Sequence, residues 1–150
     1  MNSKNYWEYS MSIIEADQID SFLHEPLHAI VGTVGRDGAP QLSPVWYIYE
    51  EGRFYVGITS HTVKYRNLRR DPRISLCIDG GRGDVRTVMV SGTAELYDKT
   101  HPLQVSMRWR LISHYIANAE EARRYAASSQ NWDAVLVVIT PQKIITQNFG

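Results

Sequence analysis

The sequence predicts a mainly β protein, a closed or partly closed antiparallel barrel with short peripheral helices. Three observations lead there. From His28 onward the chain breaks into short β-like runs, two pairs of these runs are joined by tight-turn signals, and few segments have helical spacing. Six strands are expected; a β-sandwich is the other architecture this pattern allows.

In chain order, residues 11–23 place Ile13, Ile14, Ala16, Ile19, Phe22 and Leu23 at the spacing of a short amphipathic helix, and Pro26 limits its extension. The first two strands, His28–Val34 and Pro40–Tyr49, flank Arg36-Asp37-Gly38, where Asp-Gly is a strong local hairpin signal. Glu50-Glu51-Gly52 turns the chain into the next strand at Phe54-Tyr55-Val56. Thr59 to Asp71 reads as a helical crossover, capped by Ser60 or Thr62 and stopped by Pro72. Strands at Arg73–Asp79 and Arg86–Tyr97 follow, joined through the glycines of 80–83. One long helical segment is expected over Lys99–Ser128. A last strand is expected over Asp133–Gln147, with Pro141 marking a bend or an edge.

Composition narrows the class. At 150 residues the chain has the length of one domain, 1–150, and such a chain buries about 70% of its unfolded surface. Lys plus Arg and Asp plus Glu number 16 each, so no global field draws the chain to nucleic acid or an anionic membrane, and neither partner is expected. Cys77 is the only cysteine, which excludes an internal disulfide and any cysteine-cluster metal site. Its place in Ile74-Ser75-Leu76-Cys77-Ile78 predicts a packed core thiol. The five histidines show no metal-ligand spacing beyond His24-x-x-x-His28, which brackets Pro26, so no metal is expected. The N-terminal residues do not read as a signal or transit peptide, and Ala134–Ile139, the longest apolar run, is too short to span a bilayer. A cytoplasmic protein is the expectation.

Two segments can carry chemistry. Between positions 64 and 73 lie five basic residues, Lys64, Arg66, Arg69, Arg70 and Arg73, preceded by the hydroxyls of Thr59, Ser60 and Thr62 at a helix N-terminus. Free backbone N–H groups and partial positive charge at such an end suit a phosphate. The competing reading is a solvated, capped helix face, and spacing alone leaves the two side by side. In the second segment, Gln41 to Tyr47, Pro44 interrupts a strand-like run, so backbone donors and acceptors there are open to a flat ring. The alternative is an edge strand whose Trp46 and Tyr47 simply pack. No P-loop or Gly-x-Gly-x-x-Gly fingerprint occurs. Arg108, Trp109 and Arg110 fit a ligand or the surface of a helix equally well, and no acid, base or nucleophile can be nominated.

Taken in order, Thr33–Pro40, Ser43–Tyr47, Lys64–Arg73 and Val90–Ala94 resemble the pyridoxamine 5′-phosphate oxidase-like split-barrel family of flavin and deazaflavin proteins. The resemblance implies a six-stranded Greek-key split barrel that forms a homodimer, with cofactor sites at the subunit interface. It assigns the phosphate end of the cofactor to Thr59, Ser60, Thr62 and Lys64, with Arg66 and Asn67 beside it, and the ring to Ser43, Pro44, Val45 and Trp46. Ile144–Gly150 offers no counterpart of the Arg-containing segment with which the oxidases grip substrate, and Gln41 and Trp46 stand where they use basic residues. Vitamin B6 oxidation is therefore not expected. Asn67 to Arg73 looks more like the branch that uses coenzyme F420. The implied activity is hydride transfer between FMN or F420 and a small conjugated substrate. The alternative on the same fold is a flavin- or tetrapyrrole-binding (haem-binding) protein without turnover.

Overall fold

The computed structural model describes residues 14–148. Its elements are α1 (Ala16–Leu23), β1 (Ala29–Val34), β2 (Pro40–Val45), β3 (Tyr47–Glu50), β4 (Arg53–Thr59), α2 (Val63–Arg70), β5 (Arg73–Asp79), β6 (Arg86–Tyr97), α3 (Pro102–Tyr115), α4 (Ala119–Ser128) and β7 (Ala134–Asn148). Residues 11–13 of the expected first helix lie outside the described residues.

The seven strands form one antiparallel sheet in the order β2-β1-β5-β6-β7-β4-β3. Its two edge strands, β2 and β3, are consecutive in the chain and separated by Trp46 alone. The sheet therefore has to curl until its edges meet, which makes a split barrel. Seven strands appear instead of the six expected, because the run over Pro40–Tyr49 changes neighbours at Trp46. Before it the chain pairs with β1 (Val45 opposite Ala29); after it, with β4 (Tyr47 opposite Val56).

Local chemistry explains the curl. Opposite the β6 step Ser91/Gly92 the register slips, so that Ser91 faces Lys143 while Gly92 faces Pro141, and Gln142 is left over as a bulge. A Cβ on Gly92 would overlap the Thr140 carbonyl, so only glycine lets the bent strands approach this closely. The Asp37-Gly38 turn puts Gly38 at φ 86°, and the Asp37 carboxylate accepts from the Ala39 amide at 3.0 Å.

Inside the barrel, Val31, Val56, Leu76, Ile78, Val88 and Ile139 pack around Tyr47 and Phe54, with Phe22 and Leu23 of α1 buried against them. Each such side chain contributes about 1.5–3 kcal/mol by leaving water. The apolar run at the start of β7 is buried on both faces. Val135, Val137 and Ile139 fill the barrel, while Leu136 and Val138 meet Met107 and Leu111 of α3. That double burial is why the sequence shows no alternation there.

Two expectations need correction. The long helix over Lys99–Ser128 is two helices, broken at 116–118, where Asn118 caps α4 by accepting from the Glu121 amide at 3.0 Å. Cys77 is not a core residue: the alternation of β5 turns Ile74, Leu76 and Ile78 inward and leaves Cys77 half-buried on the outer face. Partial burial, helped by Asp79, pushes its thiol pKa up, away from reactive thiolate.

Candidate cofactor site

A cavity of about 410 Å³ lies between the outer face of β4 and β7 and the α3–α4 pair. Its strand-side wall includes Pro44, Val45 and Trp46, and Thr59, Thr62 and Lys64 lie where β4 runs into α2. Six of the ten residues singled out from the sequence thus line one cavity, although β2 and α2 are far apart in the chain.

At the α2 end, Thr62 is the cap chosen between the two candidates. Its hydroxyl accepts from the Tyr65 amide at 3.3 Å and donates to the Thr59 carbonyl at 2.8 Å. The first-turn amides of Val63 and Lys64 precede any intrahelical partner, and no acidic residue occupies that turn. Lys64 Nζ donates to Ser43 Oγ at 3.2 Å and forms no ion pair among the described residues. Burial lowers its pKa. A half-buried cation held by one neutral hydroxyl, beside a positively polarised helix end, is arranged to take an anion.

The other four residues sit around this centre. Ser43 reaches it only through Lys64. Ser60 donates its hydroxyl to the Asp133 carboxylate, which also pairs with Lys99 at 3.5 Å. Arg66 is exposed on α2. Asn67 is buried and turned to the barrel, where its amide nitrogen donates to Thr33 Oγ1 at 3.1 Å and its oxygen accepts from Arg70 at 2.9 Å. Asn67 therefore fixes α2 against β1 from behind the cavity.

Trp46, at the strand break, stacks on Tyr115 of α3 with centroids 4.8 Å apart and planes 3° from parallel. The Tyr115 hydroxyl donates to the Leu27 carbonyl at 2.5 Å and accepts from the Tyr47 amide, which the break deprives of a ladder partner, at 3.0 Å. Burial pushes the Tyr115 phenol up to about 12, so it stays protonated in this role.

The helical wall was not legible as a site. It adds Gln104 and Arg108 of α3, Tyr125 of α4, and Trp132 beyond it. Of the three α3 residues left open by the sequence, Arg108 enters the cavity wall, Trp109 is 43% exposed, and Arg110 pairs with Glu50 at 3.0 Å. The signal that was available is the Gln104–Arg108 spacing of four, which places both on one helix face.

The fold is that of a split barrel, with a cavity on the outer face of its sheet. The pyridoxamine 5′-phosphate oxidase family model matches residues 16–148, and the chain belongs to that family. Solved structures with the same fold include an F420 reductase at 23% identity, covering 83% of this chain and 94% of the other with a TM-score of 0.65. A FAD-binding protein of Mesorhizobium loti matches at 20% identity, 91% and 96% coverage and TM-score 0.68. HutZ, a haem storage protein of Vibrio cholerae, matches at 18% identity, 90% and 96% coverage and TM-score 0.69. Among the described residues no helix is long and apolar enough to cross a membrane, and no cluster of three or more His, Cys, Asp or Glu could hold a metal.

Proposed function

We propose that the chain, acting as one domain over 1–150, is a cytoplasmic FMN- or F420-dependent oxidoreductase acting on a small conjugated substrate. The observation that carries this reading is Lys64: a half-buried cation without a carboxylate partner, beside a helix N-terminus, at the end of a cavity walled by aromatic rings. These residues fit a phosphate-bearing planar cofactor. Lys64 and the α2 amides would hold the phosphate, with Thr59 shaping the same end. Ser60, Arg66 and Asn67 would support it: Ser60 through Asp133, Arg66 as a nearby positive charge, and Asn67 by holding α2 in place. Ser43, Pro44, Val45 and Trp46 would lie along the ring. Bound there, a flavin or deazaflavin supplies the hydride chemistry, while the protein supplies orientation and exclusion of water.

A homodimer belongs to the same proposal. On the outer face of the sheet, Pro44, Ile30, Cys77, Met89 and Ile145 stand directly opposite one another across five strands. Ile30 is 39% exposed and neighbouring Leu42 66% exposed. A second copy seated on this apolar row would cover it next to Ser43 and Pro44.

The test is side-by-side titration of FMN and F420 into the cofactor-free protein, with light scattering on the same samples. Tight binding of either by a dimer supports the proposal, and binding of F420 alone selects the deazaflavin branch. Binding of neither overturns it.

A further inference from the structure

The helical end of the cavity holds a polar group that the phosphate-binding end does not explain. Gln104 is only 5% exposed, lines the cavity, and its side-chain amide makes no hydrogen bond among the described residues. Its amide atoms are not sealed from solvent but open into the cavity, so both its N–H donors and its carbonyl acceptor are free to pair with a molecule bound there. One turn further along α3, Arg108 uses Nη2 to donate to the Ala126 carbonyl at 3.0 Å and to Ser129 Oγ at 2.6 Å. Its other guanidinium nitrogens have no partner and it forms no ion pair among the described residues. Trp46 and Tyr125, with ring centroids 5.6 Å apart, line the same space.

These groups form a specific code. The Gln104 amide offers one donor and one acceptor side by side, and Arg108 on the same helix face offers further donors. The complementary ligand edge presents a carbonyl and an N–H to Gln104 and a second carbonyl to Arg108. That edge is an imide, CO–NH–CO, on a ring flat enough to lie against the aromatic wall. A simple carboxylate would satisfy Arg108 but leave the Gln104 carbonyl unpaired, and a hydrocarbon ring would satisfy neither.

We infer that Gln104, with Arg108, reads the imide edge of a planar fused heterocycle. This deepens the cofactor reading above and rests on it only in part, because the flavin and deazaflavin rings both carry such an edge but so do heterocycles without phosphate. Gln104 is then a specificity-determining residue, and the phosphate and the ring edge are recognised by different residues of one cavity.

The experiment uses the full chain and lumichrome, a flavin-like tricycle with the imide edge and no phosphate, beside its 3-methyl derivative, which lacks the imide N–H. Binding is followed by calorimetry and ligand fluorescence in the wild type, Gln104→Leu and Gln104→Glu, with thermal melting to confirm that each variant folds. The wild type should bind lumichrome about 10-fold more tightly than 3-methyl-lumichrome, the scale of one or two buried neutral hydrogen bonds. Gln104→Leu should erase that preference, and Gln104→Glu, which keeps the shape but loses the N–H donors, should weaken lumichrome too. Equal binding of the two ligands by the wild type, or a preference that survives Gln104→Leu, overturns the inference. So does the absence of lumichrome binding, even when FMN or F420 binds, and in that case the cofactor reading stands. Discrimination that depends on Gln104 without FMN or F420 affinity would sustain the imide site and remove the cofactor assignment.

Discussion

Two residues three positions apart on α2 show how differently the two sides of this molecule treat polar groups. Asn67 faces the barrel and is closed: it donates to Thr33, accepts from Arg70, and Arg70 also donates to the Val34 carbonyl at 3.0 Å. Lys64 faces the cavity and is open, a desolvated cation with one neutral contact. The contrast repeats across β7, whose barrel face is tightly filled while its helix face borders the cavity with Gln104 and Arg108 in its wall. Around α2 the completed network serves the fold, and the incomplete one is where we propose that a ligand binds; within the barrel the exception is the Tyr47 hydroxyl, buried without a partner among the described residues.

Substitutions on the two sides should therefore separate stability from affinity. The largest effect belongs to the barrel. Gly92→Ala drives a Cβ into the Thr140 carbonyl and should cost about 3 kcal/mol, at the upper end of overpacking, measured by urea denaturation. Asn67→Leu leaves Thr33 and Arg70 without their partner and should cost about 1–3 kcal/mol, with cofactor affinity falling only as far as α2 loosens and by less than in Lys64→Ala. A large affinity loss without destabilisation in this variant would erase the distinction drawn between the two faces. Tyr47→Phe should be neutral or stabilising by up to about 1 kcal/mol, because the Tyr47 hydroxyl is buried with no hydrogen-bond partner among the described residues. Destabilisation would mean that water reaches that hydroxyl.

The subtlest effect is on pH dependence. Burial lowers the folded-state pKa of Lys64, so apo-protein stability should rise with pH as that pKa is passed and the buried charge is lost. Anion binding needs the charged form, so cofactor affinity should fall over the same range, at lower pH than for a free lysine. Titrations of cofactor affinity across alkaline pH, with Lys64→Ala as the flat reference, check the sign.

Much of the barrel was legible because turn chemistry is local. Asp37-Gly38 and Glu51-Gly52 mark their hairpins, and β1, β5 and β6 lie where the apolar runs put them. The break at Trp46 was not legible, since Val45-Trp46-Tyr47 is unbroken in composition and only the pairing partners change there. The division of α3 from α4 left a trace, Asn118 three residues before Glu121, in a stretch otherwise free of helix breakers. Cys77 was misplaced because an apolar run hides the parity of its strand. The proposed anion end of the cavity could be nominated because its residues are contiguous on one turn and helix. Gln104 and Arg108 were not, since only the docking of α3 on β4 and β7 decides which of its faces is buried.

The proposed role of Lys64 as the open anion anchor is tested most simply by the dissociation constant of FMN, or of F420 where that is the ligand bound, for wild type and Lys64→Ala at neutral pH. A charge-assisted hydrogen bond contributes about 1.5–3 kcal/mol, so the variant should bind about 10- to 100-fold more weakly with no loss of thermal stability. Unchanged affinity, or affinity lost only because the variant unfolds, would contradict the account.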